Sequence, residues 1–237
     1  MKRYLYAIPH VITLAGLASA ALALMALFAG DIAATVRFSL LVLLIDRFDG
    51  TLARTLKVRE KFPGVSGEVL DTITDLVGLT FVPMVFFWRQ GLFLEGTGSF
   101  LAIGAIVTAS WKYSRKEKFL KKGYSVGAPP VFFSAFLFYF LHLPPAAATV
   151  YVAALIGLAW SPVKYPITSL VTTHWQPGYK SVTNYLTILF FVPVFIMLDS
   201  APAVIFWAML TALLVQLYVY PLLMRAKIIN PGFNRSY

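Results

Sequence analysis

Cysteine is absent from the 237 residues, so neither a disulfide nor a thiolate metal site can contribute to this fold. Charge is scarce as well. Lys, Arg, Asp and Glu make up 13% of the chain, against 59% hydrophobic residues and a mean hydropathy of +0.77. A soluble domain of this length needs a charged shell that so few charged residues cannot cover, whereas a membrane solvent removes the need. The three histidines, His10, His142 and His174, never share a helical turn, which argues against a histidine-rich metal centre. No low-complexity tract, internal duplication or second soluble domain is visible, so residues 1–237 read as a single domain. Nor is a cleavable signal expected, because Met1-Lys2-Arg3 leads into an apolar run without a small-residue cleavage site.

What is present is a series of apolar runs separated by short basic segments. A bilayer core of about 30 Å takes roughly 20 apolar residues in a helix. Windows of that size give eight expected spans: His10–Phe28, Ala33–Arg54, Gly67–Trp88, Ser99–Tyr113, Val126–Leu143, Ala146–Val163, Val182–Leu198 and Ala203–Met224. Tight hairpins are expected around Pro144-Pro145 and around Asp199-Ser200-Ala201-Pro202, where prolines withhold the N–H that would continue a helix. An even number of spans puts both termini on one side. That side collects Lys2, Arg3, Arg54, Lys57, Arg59, Lys61, Arg115, Lys116, Lys118, Lys121, Lys122, Lys164, Lys180, Arg225, Lys227 and Arg235. The opposite loops hold Asp31, Glu95, Asp199 and one base, Arg89, with Arg37 just inside the second span. The bias of basic residues to one side predicts cytoplasmic termini. The expected fold class is therefore all-α, a polytopic helical bundle in a bacterial inner membrane. The net charge of +10 then reads as topology and attraction to anionic headgroups rather than as a nucleic-acid surface.

The second and third spans contain residues that a lipid-facing helix should not. Asp46, Arg47, Asp49 and Arg54 lie in or at the end of the second; Glu68, Asp71 and Asp75 lie in the third. Ionisable groups at membrane depth cost several kcal/mol, so each asks for a partner or a polar cavity. Asp46, Asp49, Ala53 and Arg54 fall at i, i+3, i+7 and i+8, and Gly67, Asp71 and Asp75 at i, i+4 and i+8, each set on one helical face. Two consecutive antiparallel helices can thus present four carboxylates to each other near their cytoplasmic ends. Carboxylates packed that closely repel, and a hard divalent cation with oxygen ligands relieves the repulsion while also binding phosphates. Gly50, Ala53 and Gly67 leave room for backbone to approach a bulky ligand, and Arg54 offers a fork of donors to a diphosphate.

The stretch Asp46-Arg47-Phe48-Asp49-Gly50-Thr51-Leu52-Ala53-Arg54, followed by Gly67-Glu68-Val69-Leu70-Asp71-Thr72-Ile73-Thr74-Asp75, resembles the signature of the CDP-alcohol phosphatidyltransferases. That signature reads D-x2-D-G-x2-A-R, a spacer, then G-x3-D-x3-D, and all eight fixed positions are present here. Twelve residues separate Arg54 from Gly67, a longer spacer than most of the family has, and one that resembles its bacterial phosphatidylcholine synthase branch. Phe81-Val82-Pro83, the segment from Gly127 to Pro130, and Pro162-Val163-Lys164-Tyr165 are similar to the same branch. Ala128-Pro129-Pro130 and Lys164-Tyr165-Pro166 are also similar to phosphatidylserine synthases, so serine or another small alcohol stays open as acceptor.

The resemblance implies transfer of a phosphatidyl group from CDP-diacylglycerol to a small alcohol, choline first, with release of CMP. It implies Mg²⁺ or Mn²⁺ on Asp46, Asp49 and Asp71, and Asp75 as the catalytic base, itself also touching a metal. The CDP site would take in Asp49, Gly50, Ala53, Arg54 and Gly67. Lys112, Arg115 and Lys164, at cytoplasmic span ends, are candidates for the lipid phosphate. Choline is a permanent cation that aromatic faces and negative charge recognise, which makes Glu68, Trp111, Tyr113 and Tyr165 candidates for its site. The same aromatics, with Tyr124 and Trp175, also suit an interfacial belt, and the basic run from Arg115 to Lys122 suits headgroup attraction. A homodimer is a candidate assembly. From a different class, a cation or lipid transporter would use buried acids too, but near mid-membrane rather than at the cytoplasmic ends.

Overall fold

The computed structural model describes residues 6–62, 64–115, 124–128, 132–166, 195–196, 198, 200 and 202–214. Two compact units divide the chain, one built from Met1–Gly91 with Val131–Phe136, the other from Leu92–Pro130 with Leu137–Tyr237.

The first unit opens with α1, Ile8–Ala29, which begins with a proline in its first turn and ends at Gly30, whose φ of 85° closes the helix in the left-handed region. Asp31 then caps the next helix by accepting a hydrogen bond from the Ala34 N–H at 2.8 Å. That helix, α2, runs Ile32–Thr55 and is followed by the short α3, Val58–Lys61. Ser66 caps α4, Gly67–Asp75, by accepting from the Val69 N–H. A wider π turn, Leu76–Phe81, continues α4 into α5, Val82–Arg89. In it the Val82 N–H reaches back to the Val77 carbonyl, and Pro83, which has no N–H to offer an α-helical ladder, follows at once.

Small residues let these helices approach. Ala20 and Ala23 of α1, Val42 of α2 and Val82 of α5 form a fully buried cluster, with Leu24, Phe38, Val77 and Leu79 packed around it. Ser19 of α1 donates to the Phe38 carbonyl of α2. At Gly78 the contact is closest: a Cβ there would lie 2.5 Å from Cγ1 of Val42.

The second unit contains α6, Gly98–Ser114; α7, Ala135–Phe140, which begins in the first unit behind a 3₁₀ turn at Phe132–Ser134; α8, Pro145–Trp160; and α9, Ala203–Leu214. It also holds a two-stranded antiparallel ladder that amends the all-helical expectation: β1, Tyr124–Val126, pairs with β2, Lys164–Pro166, with Ser125 opposite Tyr165.

The first four expected spans coincide with helices to within a residue or two at each end, the third as the continuous α4–α5 rod. The fifth does not. Val126–Leu143 starts as strand, turns at Gly127 with φ of 80°, and is α-helical only from Ala135. The sixth ends at Trp160 rather than Val163, because the chain turns there into β2. Most of the seventh span, and the eighth beyond Leu214, lie outside the described residues. Two described helices, Ile8–Ala29 and Gly67–Arg89, are long and apolar enough to cross a membrane. Large apolar side chains such as Val11 and Met25 on α1, and Phe100 and Ile103 on α6, stand exposed, which suits lipid better than water.

Candidate metal and nucleotide site

The first unit brings three of the four motif acids together. Asp46 and Asp49 share one face of α2, Asp71 projects from α4, and a carboxylate oxygen from each lies within 4.8 Å of the other two. Asp49 is the deepest at 4% exposure, and Asp46 and Asp71 are half-buried. Asp75, one helical turn beyond Asp71 on the same helix, is half-buried and stands outside the trio.

The donor set fits a hard divalent cation. Octahedral Mg²⁺ takes oxygens at about 2.0–2.1 Å and is held by a few carboxylates, with remaining positions left to water or phosphate. Three convergent carboxylates with no sulfur or imidazole among them match that preference. Asp49 is also tied to α1, where the Thr13 hydroxyl donates to Asp49 Oδ2 at 2.6 Å. Thr13 and its neighbour His10 were not among the residues expected in the site. A hydroxyl in an apolar run carries no charge to draw attention. The signal lay in spacing: His10, Thr13, Gly16 and Ser19 form a buried polar and small stripe along an otherwise apolar helix.

Gly50 and Ala53 are half-buried on α2, close to the acids in sequence. Gly67, expected to give a ligand access to backbone, also accommodates His10: a Cβ at Gly67 would sit 3.0 Å from His10 Cε1. His10 is 7% exposed, tilted against Phe62, and among the described residues its Nε2 has no hydrogen-bond partner. The side chain of Arg54 lies outside what the structure describes, as does that of Lys164. Glu68 is exposed in the first turn of α4.

The lipid-phosphate and aromatic candidates, Glu68 aside, belong to the second unit. There Lys112 is committed to the fold: its ammonium donates to the carbonyls of Val126, Gly127 and Ala128, just past β1. These contacts tie Lys112 to the turn that follows β1. Arg115 follows the end of α6, half-buried. Trp111 stacks on Trp160 at 5.8 Å and 11°, and the Trp160 indole N–H donates to Thr108. Both rings stay about half exposed, as interfacial tryptophans do. Tyr113 is half-buried on α6, and Tyr165 is buried at 4% exposure in β2.

Residues 6–173 match the family model of the CDP-alcohol phosphatidyltransferases. Among relatives, the chain is 31% identical over 120 residues to phosphatidylcholine synthase of Borreliella burgdorferi, covering 51% of either chain. It is 33% identical over 169 residues to that of Bradyrhizobium diazoefficiens, covering 70% of this chain and 63% of the relative. With that of Pseudomonas aeruginosa it shares 33% identity over 158 residues, 66% of each. The matched stretch thus spans between half and two thirds of these relatives' own lengths.

Proposed function

Because this chain belongs to the CDP-alcohol phosphatidyltransferase family, we propose that it transfers a phosphatidyl group from CDP-diacylglycerol to choline and releases CMP. The observation that carries the reading is the convergence of Asp46, Asp49 and Asp71 from two helices on one point. Choline is favoured because the three relatives described above are phosphatidylcholine synthases by name.

Asp46, Asp49 and Asp71 would hold Mg²⁺ or Mn²⁺, which when bound supplies positive charge to the diphosphate and to the departing CMP. Asp75 is the base. It takes the proton from the choline hydroxyl as that oxygen attacks the phosphorus of the phosphatidyl group and the bond to the CMP oxygen breaks. Its separation from the inner trio supports this division of labour, since a carboxylate already given to a cation makes a poorer base. Gly50, Ala53 and Gly67 would let the nucleotide approach α2 and the start of α4, with Arg54 on the diphosphate. Glu68 supplies negative charge toward the trimethylammonium group. The bilayer setting is a bacterial inner membrane with the site facing the cytoplasm. It is supported by the one-sided distribution of Lys and Arg and by the two helices able to span.

The test is purified protein given CDP-diacylglycerol with choline, serine, inositol or glycerol phosphate separately, each with and without chelator. CMP release with choline alone, abolished by chelator and restored by Mn²⁺ or Mg²⁺, is the expected result. Product from serine and none from choline overturns the acceptor assignment; no CMP release with any alcohol overturns the reaction.

A further inference from the structure

A threonine inside a helix ordinarily turns its hydroxyl back to the carbonyl four residues earlier. Thr13 has that option, since the Pro9 carbonyl lies 3.0 Å from its Oγ1. The same oxygen lies 2.6 Å from Asp49 Oδ2. A hydroxyl carries a single proton, so it can serve only one of these acceptors at a time. With Asp49 ionised, as a metal ligand must be, the shorter contact takes it, and its length falls in the charge-assisted O–H···O⁻ range of about 2.5–2.7 Å. Both groups are almost fully buried, Thr13 at 6% and Asp49 at 4% exposure, so water does not compete well for the bond.

Thr13 also stands where α1 meets both acid-bearing helices. Its carbonyl accepts a long hydrogen bond of 3.4 Å from Thr74, the residue before Asp75. One turn further along α1, Gly16 keeps the crossing close, because a Cβ there would lie 3.0 Å from Ile45 of α2 and 3.2 Å from Thr74 of α4.

We infer that Thr13 is a positioning residue for the metal site: its hydroxyl fixes the rotation of the Asp49 carboxylate, and so the edge that Asp49 turns toward Asp46 and Asp71. The inference rests on the metal reading of the acid trio given above. A hydrogen-bonded partner behind a metal ligand commonly sets affinity by about 10–100-fold when removed.

The experiment titrates full-length protein in detergent with Mn²⁺ alone, following free Mn²⁺ by electron paramagnetic resonance, and records metal-free thermal unfolding in parallel. Thr13→Val keeps shape and removes the donor, Thr13→Cys replaces it with a weak one, and Thr13→Ser keeps it. Valine and cysteine are expected to weaken Mn²⁺ binding by about tenfold or more, with metal-free unfolding little changed, while serine restores near-native affinity. The cysteine variant carries the comparison if valine fails to fold. Native affinity in the valine or the cysteine variant, or equal loss in the serine variant, overturns the role of Thr13 and leaves the metal site standing. Wild-type protein that binds no Mn²⁺ overturns the metal reading, and this inference with it.

Discussion

Replacing Gly78 with alanine tests whether the closeness of α2 and α4–α5 is what holds the acids together. The added Cβ would lie 2.5 Å from Cγ1 of Val42 and 3.3 Å from its other two side-chain carbons. Carbon atoms prefer about 3.5–4.0 Å, so roughly 1 Å must be found. Val42 is fully buried and β-branched in a helix, with one strongly preferred rotamer, and therefore has little room to rotate away. Overpacking of this kind costs about 1–3 kcal/mol. Alanine regains about 1 kcal/mol of helix propensity, which leaves a net loss of up to about 2 kcal/mol. For a chain of this length that corresponds to up to about 8 °C in Tm. Gly78 lies one turn beyond Asp75 and Val42 one turn before Asp46, so helices that separate here should also separate the acids and weaken Mn²⁺ binding. The assay is intrinsic-fluorescence unfolding in detergent with a parallel Mn²⁺ titration, on Gly78→Ala, Val42→Ala and the double variant. The double variant should be more stable than the sum of the single changes by about 1 kcal/mol or more, and should recover metal affinity. Gly78→Ala with native stability and native affinity, or strict additivity in the double variant, would refute the reasoning.

Three further outcomes are expected. Asp75→Asn should lower turnover by at least about 10²-fold while CDP-diacylglycerol binding, measured by calorimetry, stays within a few-fold; activity near native would remove Asp75 as the base. Lys112→Met strips three carbonyls of their donor and should lower unfolding stability by about 2–4 kcal/mol, whereas a lipid-phosphate role would raise KM with stability unchanged. Gly127→Ala meets both a φ of 80° and an approach of 2.0 Å to the Ala159 carbonyl oxygen, so folded yield by size-exclusion chromatography should collapse, and a native yield would contradict the turn as described.

The inner site was legible because its chemistry costs so much in an apolar setting. Asp46, Asp49 and Asp71 stand out against hydrocarbon-like neighbours, and helical periodicity then says which of them share a face. Periodicity places Asp75 on the same face as Asp71, one turn further on, and does not say which of the two faces the acids of α2. The fifth apolar run misled for a related reason. Hydropathy records that Val126–Leu143 avoids water, but not that it begins as strand, turns at Gly127 and is α-helical from Ala135. The contacts of Lys112 with backbone carbonyls are not legible in sequence, because every residue has a carbonyl and no pattern marks it. Thr13 was passed over because a single hydroxyl barely alters the hydropathy of a 22-residue helix.

The π turn at Leu76–Phe81 sets the phase between two functions of one rod. Above it, α4 must aim Asp71 at α2; below it, α5 must seat Val82, Phe86 and Phe87 in the apolar interior. A residue in an α-helix advances the azimuth by about 100°, and the wide turn absorbs one residue more than a regular turn would hold. Were the rod to become uniformly α-helical with every residue kept, it would turn by about 100° more and swing either the acids or the phenylalanines out of register. The local irregularity thus acts as a rotational offset, allowing acidic and packing faces to be chosen independently along a continuous helix.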